Sequence, residues 1–444
     1  MPLSKGKGLR IRMKQGIKLH TINTNKFKTN LIAMFLSIPL TRENVTKNAL
    51  LTSILRRGCQ KYKTQEEISK RLEEMYGAEF NCGLDKLGKN HVLKFYIESI
   101  NDEFLPEMKE NMLKQSIEIL SEIVFNPLTE NNGFNEEYTN QEKENVKQII
   151  EAKKDNKARY ALFRCVEEMF KDKPEGLYKY GYVEDLENIN AKNLYEYYKE
   201  LIDSCKIDIF VSGKLENLNT EELTEQDENI EQLIEQDENI SKLKDREPKF
   251  NINKPEEKAP IQEANNIEEK LDVTQGKLVI GYDVEASKQE IENEKFRYIG
   301  MLYNAILGGT ATSKLFQNVR EKASLAYTAS SSFSYYTGNI FVNAGIEIEN
   351  FEKATDIIKD QIEAMKQGDF SDEDIENARK VIISNIEGIS DEQDTEIIYF
   401  LGQELSGRNV SLKQYAEFVQ DVNKNEIEDF AKKININTVY FLRN

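Results

Sequence analysis

An arginine and a tyrosine, Arg320 and Tyr327, lie seven positions apart in this sequence. A guanidinium offers a planar fork of donors for carbonyl oxygens, and a tyrosine hydroxyl can donate a hydrogen bond to an oxyanion. Both belong to the string Leu307–Tyr327, in which a helical spacing is followed by a predicted strand. A sharp turn between the helix and the strand could bring both side chains to the same side of the domain. From spacing alone, packing or surface pairing is the commoner role of such residues, and Glu321 and Glu347 are possible partners of Arg320.

No other combination of residues predicts a catalytic or metal-binding site. The two histidines, His20 and His91, lie on predicted strands without a partner four positions on, and we expect each to be satisfied locally or to face solvent. The cysteines are scattered without a C-x-x-C pair, which predicts free buried thiols in a reducing cytosol. They are Cys59, Cys82, Cys165 and Cys205. A serine in a G-x-S-x-G setting is also absent, so the sequence predicts no metal and no cofactor.

The composition is that of a globular protein with room for two to four domains. The chain has 444 residues, 39% hydrophobic and 31% charged, and a net charge of -18. This acidity argues against a nucleic-acid partner and favours basic peptides. The longest apolar run, Leu31–Leu40, is too short to cross a bilayer, and the basic segment Met1–Lys18 lacks the apolar core of a secretory signal. We therefore expect no membrane association and a cytoplasmic location.

The chain consists of two similar halves. Each half has an alternating strand that ends before a glutamate, a long helix, a second helix that starts after a phenylalanine, and a short closing strand. In the second half, Ser371 and Asp374 resemble a capping box at the start of that second helix. We predict an α+β fold of two homologous domains, each a mostly antiparallel sheet packed by helices. The alternating and closing strands are His91–Ile97, Asn339–Ile346, Lys206–Val211 and Thr438–Leu442.

An acidic segment, residues 216–269, separates the halves. It is poor in aromatic residues and contains the sequence EQDENI twice, at 225–230 and 235–240. Such a stretch cannot bury enough apolar surface to fold alone, although it could contain a short polar helix. We therefore predict an N-terminal domain at 1–215, an acidic flexible linker at 216–269 and a C-terminal domain at 270–444.

The segment Asn48–Gly58, NALLTSILRRG, is similar to the first-helix motif A-H-x-x-E-H-M-L-F-K-G of the insulinase, pitrilysin and mitochondrial-processing-peptidase family. In that family two histidines on one helix face bind zinc, and the glutamate activates the metal-bound water. Ala49 and Ser53 occupy the histidine positions here, and Thr52 occupies the glutamate position. Alanine has no ligand atom, serine is a poor zinc ligand, and threonine cannot act as a base near neutral pH.

The third zinc ligand of the family is a glutamate on a later helix. The matching helix here is Glu142–Glu151, where Ile149 or Ile150 falls nearest the ligand position. The resemblance therefore implies a zinc site that has been lost.

The string Leu307–Tyr327 is similar, nearly residue by residue, to the second-domain motif G-G-x-x-x-S-R-L-F-x-x-V-R-E-K-x-G-L-A-Y of the same family. Lys314 replaces an arginine and Ser324 replaces a glycine. In the family the two domains face each other as a clamshell, and the residues matching Arg320 and Tyr327 reach across to the zinc site. The resemblance implies that they anchor the substrate backbone and donate to the oxyanion.

The first half lacks the zinc ligands of the family, whereas the second half keeps the residues that anchor the substrate. This combination is the pattern of a zinc-less subunit in a heterodimeric metallopeptidase. The implied partner is a zinc-bearing H-x-x-E-H homologue, and the implied substrate is a peptide or small protein. The alternatives are a stand-alone peptide-binding module and a scaffold of peptidase descent. Stretches such as Thr46–Leu51 resemble inactive bacterial members associated with modification of elongation factor P.

Overall fold

The computed structural model describes residues 10–14, 16–105, 111–215, 225–243, 246, 248–258 and 263–444. The strands, in chain order, are β1 Arg10–Lys14, β2 Ile17–Asn23, β3 Thr29–Pro39, β4 Glu79–Leu87, β5 Asn90–Ile100, β6 Thr129–Glu130, β7 Gly133–Phe134, β8 Lys206–Gly213, β9 Asn265–Lys270, β10 Gly276–Val284, β11 Ala326–Ser334, β12 Asn339–Ile346 and β13 Ile434–Arg443.

The helices, in chain order, are α1 Val45–Leu55, α2 Gln65–Glu74, α3 Met112–Phe125, α4 Glu136–Glu151, α5 Lys157–Met169, α6 Val183–Leu186, α7 Ala191–Ser204, α8 Glu225–Gln236, α9 Lys288–Glu292, α10 Phe296–Asn304, α11 Phe351–Lys366, α12 Asp372–Ile389, α13 Gln393–Leu405, α14 Leu412–Asp421 and α15 Lys424–Ala431. Two π-helical segments, Ala305–Gly309 and Phe316–Lys322, lie between α10 and β11. Within the described residues, no helix is long and apolar enough to span a membrane.

Each of two compact units is built on one sheet. The first sheet has the order β1-β2-β8-β3-β5-β4, and the second has the order β11-β12-β10-β13-β9. Neighbouring strands are antiparallel except for the parallel pairs β2–β8 and β13–β9. The α+β prediction is confirmed, and the run β2-β8-β3-β5-β4 repeats in the second unit as β9-β13-β10-β12-β11.

The central strand β3 is covered on both faces, which explains its nearly continuous apolar sequence. Ile32, Met34 and Leu36 point into the main core of the first unit, which also contains residues of α1, α3 and α7. The alternate residues Ala33 and Phe35 belong to a second core cluster, whose covering residues come from α13.

The division of the chain differs from the boundaries expected at 215 and 270. The first unit comprises Met1–Glu151, Leu177–Ile252 and Ile389–Asn409, and the second comprises Ala152–Gly176, Asn253–Gly388 and Val410–Asn444. Each half of the sequence therefore contributes one helical segment to the other unit. Local patterns could not reveal this exchange, because it is fixed by packing between residues far apart in the chain.

The second unit has its own exchanged helix, α5, from the first half of the sequence. Tyr160 and Cys165 of α5 are buried in one cluster with Val279 and Tyr440 of the second sheet. The carboxylate of Glu269 accepts hydrogen bonds from the Tyr160 and Tyr440 hydroxyls at 2.6 and 2.7 Å. These apolar and polar contacts fix α5 on the sheet.

The described part of residues 216–269, predicted as a flexible linker, contains buried and paired residues. Residues 216–224, 244, 245, 247 and 259–262 lie outside the described residues. In α8, Ile230 and Ile234 are buried in the core of the first unit, and Arg246 donates to the carbonyl oxygen of Ile202. At the end of the segment, β9 pairs with β13. The segment is thus divided between the two units at Ile252, and its polar composition hid the residues that anchor it.

Candidate functional site

The three positions that the family resemblance assigns to a zinc site lie on α1. Ala49 and Thr52 are buried, with 3% and 5% exposure, and Ser53 is half-buried. The Thr52 hydroxyl donates to the carbonyl oxygen of Asn48 at 3.0 Å, and the Ser53 hydroxyl donates to that of Ala49 at 3.4 Å. Both hydroxyl groups are therefore used one turn back along their own helix, a bond that serine and threonine commonly make within helices.

Beside this part of α1 lie the Cys82 thiol and the buried carboxylate of Glu142, which is 3.4 Å from the Arg57 guanidinium. The Cys82 thiol lies 3.7 Å from the carbonyl oxygen of Thr52, and burial raises the pKa of Cys82, which favours the thiol over the metal-binding thiolate. On α4, Ile149 is 40% exposed, whereas Ile150 packs partly against the core. Among the described residues, no group of three or more His, Cys, Asp or Glu side chains is placed to hold a metal ion. The donor set of this site therefore does not fit zinc.

The two histidines are buried and bonded within the first unit. His91 Nδ1 lies 3.0 Å from the side-chain nitrogen Nδ2 of Asn48. The Tyr197 hydroxyl donates to Asn48 Oδ1 at 2.7 Å. Burial lowers the pKa of His91 to about 3, so its ring is neutral and Nδ1 accepts from the amide. His20 Nε2 lies 2.8 Å from Asp208 Oδ1. Neither histidine faces solvent, and each has one ring nitrogen bonded locally, whereas His91 Nε2 and His20 Nδ1 are buried without a hydrogen-bond partner among the described residues.

Arg320 and Tyr327 lie on the elements that the sequence predicted. Arg320 is in the last turn of the π-helix Phe316–Lys322, and Tyr327 is the second residue of β11. The Arg320 guanidinium lies 4.5 Å from the Phe316 ring centroid, and its Nε is 3.6 Å from a Glu321 carboxylate oxygen. The side chain of Arg320 is 43% exposed and Tyr327 is 56% exposed. Both donors are therefore accessible at the surface of the second unit.

The partner of Tyr327 is Glu347, which the sequence had suggested for Arg320. The Tyr327 hydroxyl donates to Glu347 Oε1 at 2.5 Å, and this contact raises the pKa of Tyr327. The phenol therefore remains protonated at neutral pH, as a hydrogen-bond donor must. The sequence showed a glutamate, Glu347, directly after the alternating strand Asn339–Ile346. It could not show that this glutamate accepts a hydrogen bond from Tyr327.

The paired glycines of the motif allow the helical segment to approach β11 closely. A Cβ atom on Gly308 would lie 2.6 Å from the backbone nitrogen of Ser331, a distance at which atoms overlap. Gly308 is therefore required by the packing of the π-helical segment Ala305–Gly309 on β11.

The chain is similar to several known proteins and to one described protein family. Residues 188–382 match the family described as the peptidase M16 inactive domain. The chain is 33% identical over 431 residues to a probable inactive metalloprotease, YmfF, of Bacillus subtilis, covering 96% of both chains. It is 24% identical over 339 residues to an uncharacterized zinc protease of Rickettsia bellii, covering 74% of this chain and 73% of that one. A conserved protein of Enterococcus faecalis has a solved structure with a TM-score of 0.87 and 26% identity, covering 99% of both chains.

Proposed function

The chain belongs to the peptidase M16 family, and we propose that it is a non-catalytic member, a pseudo-peptidase that binds peptide substrate and acts with a zinc-bearing partner. The partner would be a homologous subunit that carries the H-x-x-E-H motif. This chain would supply Arg320 and Tyr327 in trans and would have no peptidase activity of its own.

One contrast supports this proposal. The positions that would bind zinc are occupied by Ala49 and by hydroxyls already bonded to backbone. In contrast, the two donors for a substrate backbone and an oxyanion are exposed, and their contacts are with surface groups, Glu321 for Arg320 and Glu347 for Tyr327. A scaffold would gain nothing from keeping an exposed Arg320 and Tyr327.

Each retained residue has a distinct chemical role in the proposal. Arg320 would clamp substrate carbonyl oxygens through its planar fork of donors, which a lysine cannot copy. The Tyr327 hydroxyl would leave Glu347 and donate to the oxyanion that forms in the partner's active site. Loss of one such donor typically costs roughly 3–4 kcal/mol, or about 10²–10³ in rate.

The test is turnover of a heterodimer reconstituted with the zinc-bearing homologue from the same organism. We expect Arg320→Ala and Tyr327→Phe to assemble normally, to keep the melting temperature, and to lower kcat/KM at least about tenfold. Tyr76→Phe is the matched control, because Tyr76 is an exposed tyrosine of the first unit, at 61% exposure.

Full turnover in both variants, with assembly intact, would show that this chain is only a scaffold. The isolated chain is expected to bind no stoichiometric zinc and to cleave no peptide, which metal analysis and a peptide assay would check. The link to elongation factor P and the cytoplasmic location stay predictions.

A further inference from the structure

The carboxylate of Glu347 accepts a hydrogen bond from Tyr327, so it competes for the proton that the proposed function assigns to the oxyanion. We propose that Glu347 is a positioning residue that restrains Tyr327, so that the hydroxyl donates to an oxyanion only after it has left this carboxylate. The inference rests on the proposed function, because it concerns the control of the same donor.

A β-bulge in β11 sets Tyr327 apart from its neighbours. Two consecutive residues of β12, Gly345 and Ile346, face Thr328 and Ala326, so Tyr327 between them has no partner on β12. A bulge bends its strand and re-aims a side chain, and bulges are common next to active sites. The Tyr327 side chain is also 56% exposed, so few contacts oppose its movement away from the sheet.

The backbone of Glu347 is fixed beside this bulge. Glu347 directly follows β12, and its carbonyl oxygen accepts from the backbone nitrogen of Asn350 at 3.0 Å, which closes a tight turn. The residue is half-buried. In the part of the chain that the structure describes, no lysine or arginine lies within ion-pair distance of the Glu347 carboxylate. Its negative charge is therefore directed at the Tyr327 hydroxyl.

The hydrogen bond between Tyr327 and Glu347 is of the stronger kind. The hydroxyl oxygen is 2.5 Å from Glu347 Oε1, and this bond, together with the negative charge of the carboxylate, raises the pKa of Tyr327. A hydrogen bond to an ionised acceptor is roughly twice as strong as one between neutral groups. The carboxylate therefore keeps the phenol protonated and at the same time holds its proton.

The hydroxyl of Tyr327 has a single proton, which cannot serve two acceptors at once. A donor to an oxyanion accelerates a reaction only as far as its bond is stronger in the transition state than in the ground state. A bond to Glu347 that has to be broken first reduces this gain. Removing the charge of Glu347 without changing its shape should therefore increase the rate of the chemical step.

The first measurement uses the intact isolated chain, with carbon-13 at the ring carbon Cζ of its tyrosines, whose NMR signal reports ionisation of the phenol. The signal of Tyr327 is identified by its loss in Tyr327→Phe. We expect Tyr327 to ionise at a lower pH in Glu347→Gln than in the wild type, because glutamine is a neutral acceptor of the same shape. Equal titration of Tyr327 in the two proteins would overturn the inference.

Glu349→Gln is the matched control, because it removes the charge of a neighbouring, exposed glutamate that does not bond to Tyr327. It should shift the titration of Tyr327 much less than Glu347→Gln does.

The second measurement is the initial rate at which the reconstituted heterodimer cleaves the peptides of a peptic casein digest, followed by mass spectrometry. Glu347→Gln should be at least about threefold faster than the wild type, and Glu347→Met, which has no acceptor oxygen, should be at least as fast as Glu347→Gln. Glu349→Gln should match the wild type. In the Tyr327→Phe background, Glu347→Gln should no longer change the rate, since the donor on which it acts is gone. Melting temperatures check that all variants fold.

The outcomes separate the restraint from the proposed function. A rate in Glu347→Gln that is equal to or below that of the wild type would show that the carboxylate does not restrain Tyr327. A gain that Glu349→Gln reproduces, or that persists in the Tyr327→Phe background, would also overturn the inference, because the effect would not pass through this hydrogen bond. Lost turnover in Tyr327→Phe without a gain in Glu347→Gln refutes the restraint alone, whereas full turnover in Tyr327→Phe refutes the proposed function.

Discussion

At the residue scale, the hydroxyl groups at two of the positions that the family resemblance assigns to zinc are bonded within α1 itself. Thr52 and Ser53 bond to the carbonyl oxygens of Asn48 and Ala49, and Asn48 itself joins His91 to Tyr197. The bonds of Asn48 therefore connect α1 to β5 and α7.

His91 predicts a pH dependence of stability. Its pKa is about 3 in the folded chain and near 6.5 when unfolded, so the unfolded state takes up the proton first. The stability contributed by the neutral ring is present above about pH 6.5 and is lost as the pH falls towards 3. From pH 7 to pH 5 we expect the free energy of unfolding to fall by about 2 kcal/mol more in the wild type than in His91→Gln.

Denaturant unfolding of both proteins at the two pH values measures this difference. Glutamine keeps an acceptor for Asn48 but does not titrate, so it is the matched control for the ring. An identical pH dependence in the two proteins would contradict the assignment of this loss to His91.

The contacts of His91 and Tyr327 could not be predicted from sequence. Asn48 and His91 are 43 positions apart, Asn48 and Tyr197 are 149 apart, and Tyr327 and Glu347 are 20 apart. The sequence indicated which residues could do chemistry, because that depends on type and motif. It could not indicate their partners, which depend on how the strands pair.

At the element scale, the signals that predicted helices and strands were local ones. The capping box of Ser371 and Asp374 is confirmed, with reciprocal backbone-to-side-chain distances of 2.8 and 3.1 Å. Helix α8 was missed as an anchored element, since Ile230 and Ile234 are spaced for one face but lie among acidic residues. The mean composition of the segment gives two isoleucines little weight. Their burial depends only on the helix face that they share.

The turn between the π-helix and β11 predicts a stabilising substitution. Ser324 has a φ of 52°, in the left-handed region, which costs a residue with a Cβ roughly 1–2 kcal/mol. Glycine removes this cost but loses more freedom on folding, so Ser324→Gly should raise the free energy of unfolding by about 0.5–1 kcal/mol.

Ser330→Gly is the matched control, because Ser330 is an exposed serine in the middle of β11. It should lower the free energy of unfolding by about 0.5–1 kcal/mol. Thermal or denaturant unfolding compares the two variants. A loss of stability in Ser324→Gly would mean that the turn is held by the serine side chain.

At the scale of the whole molecule, the exchanged segments join the two halves of the sequence. The carboxylate of Glu404 on α13 lies 2.5 Å from Lys18 Nζ and 3.2 Å from Lys206 Nζ, both in the first sheet. With Glu269 fixing α5 in the second unit, each unit needs residues from both halves.

This arrangement predicts that a chain cut in the middle stays assembled. A protease site placed at the exposed residues Glu256 and Glu257 would give fragments 1–256 and 257–444. We expect both fragments to elute together in size-exclusion chromatography and to separate only in denaturant. The uncut protein is the control, and separate elution under native conditions would contradict the exchange of α5 and α13.

The exchange of α13 also sets an order of events during protein synthesis. The ribosome releases the strands of the first sheet long before Ile389–Asn409, the segment that covers Phe35 and Phe210. Domains usually fold as units, the N-terminal one first, while the chain is still growing. Here the nascent first sheet must wait with one apolar face uncovered until Ile389–Asn409 has been synthesised. During that interval, chaperones that shield apolar surfaces have access to this face.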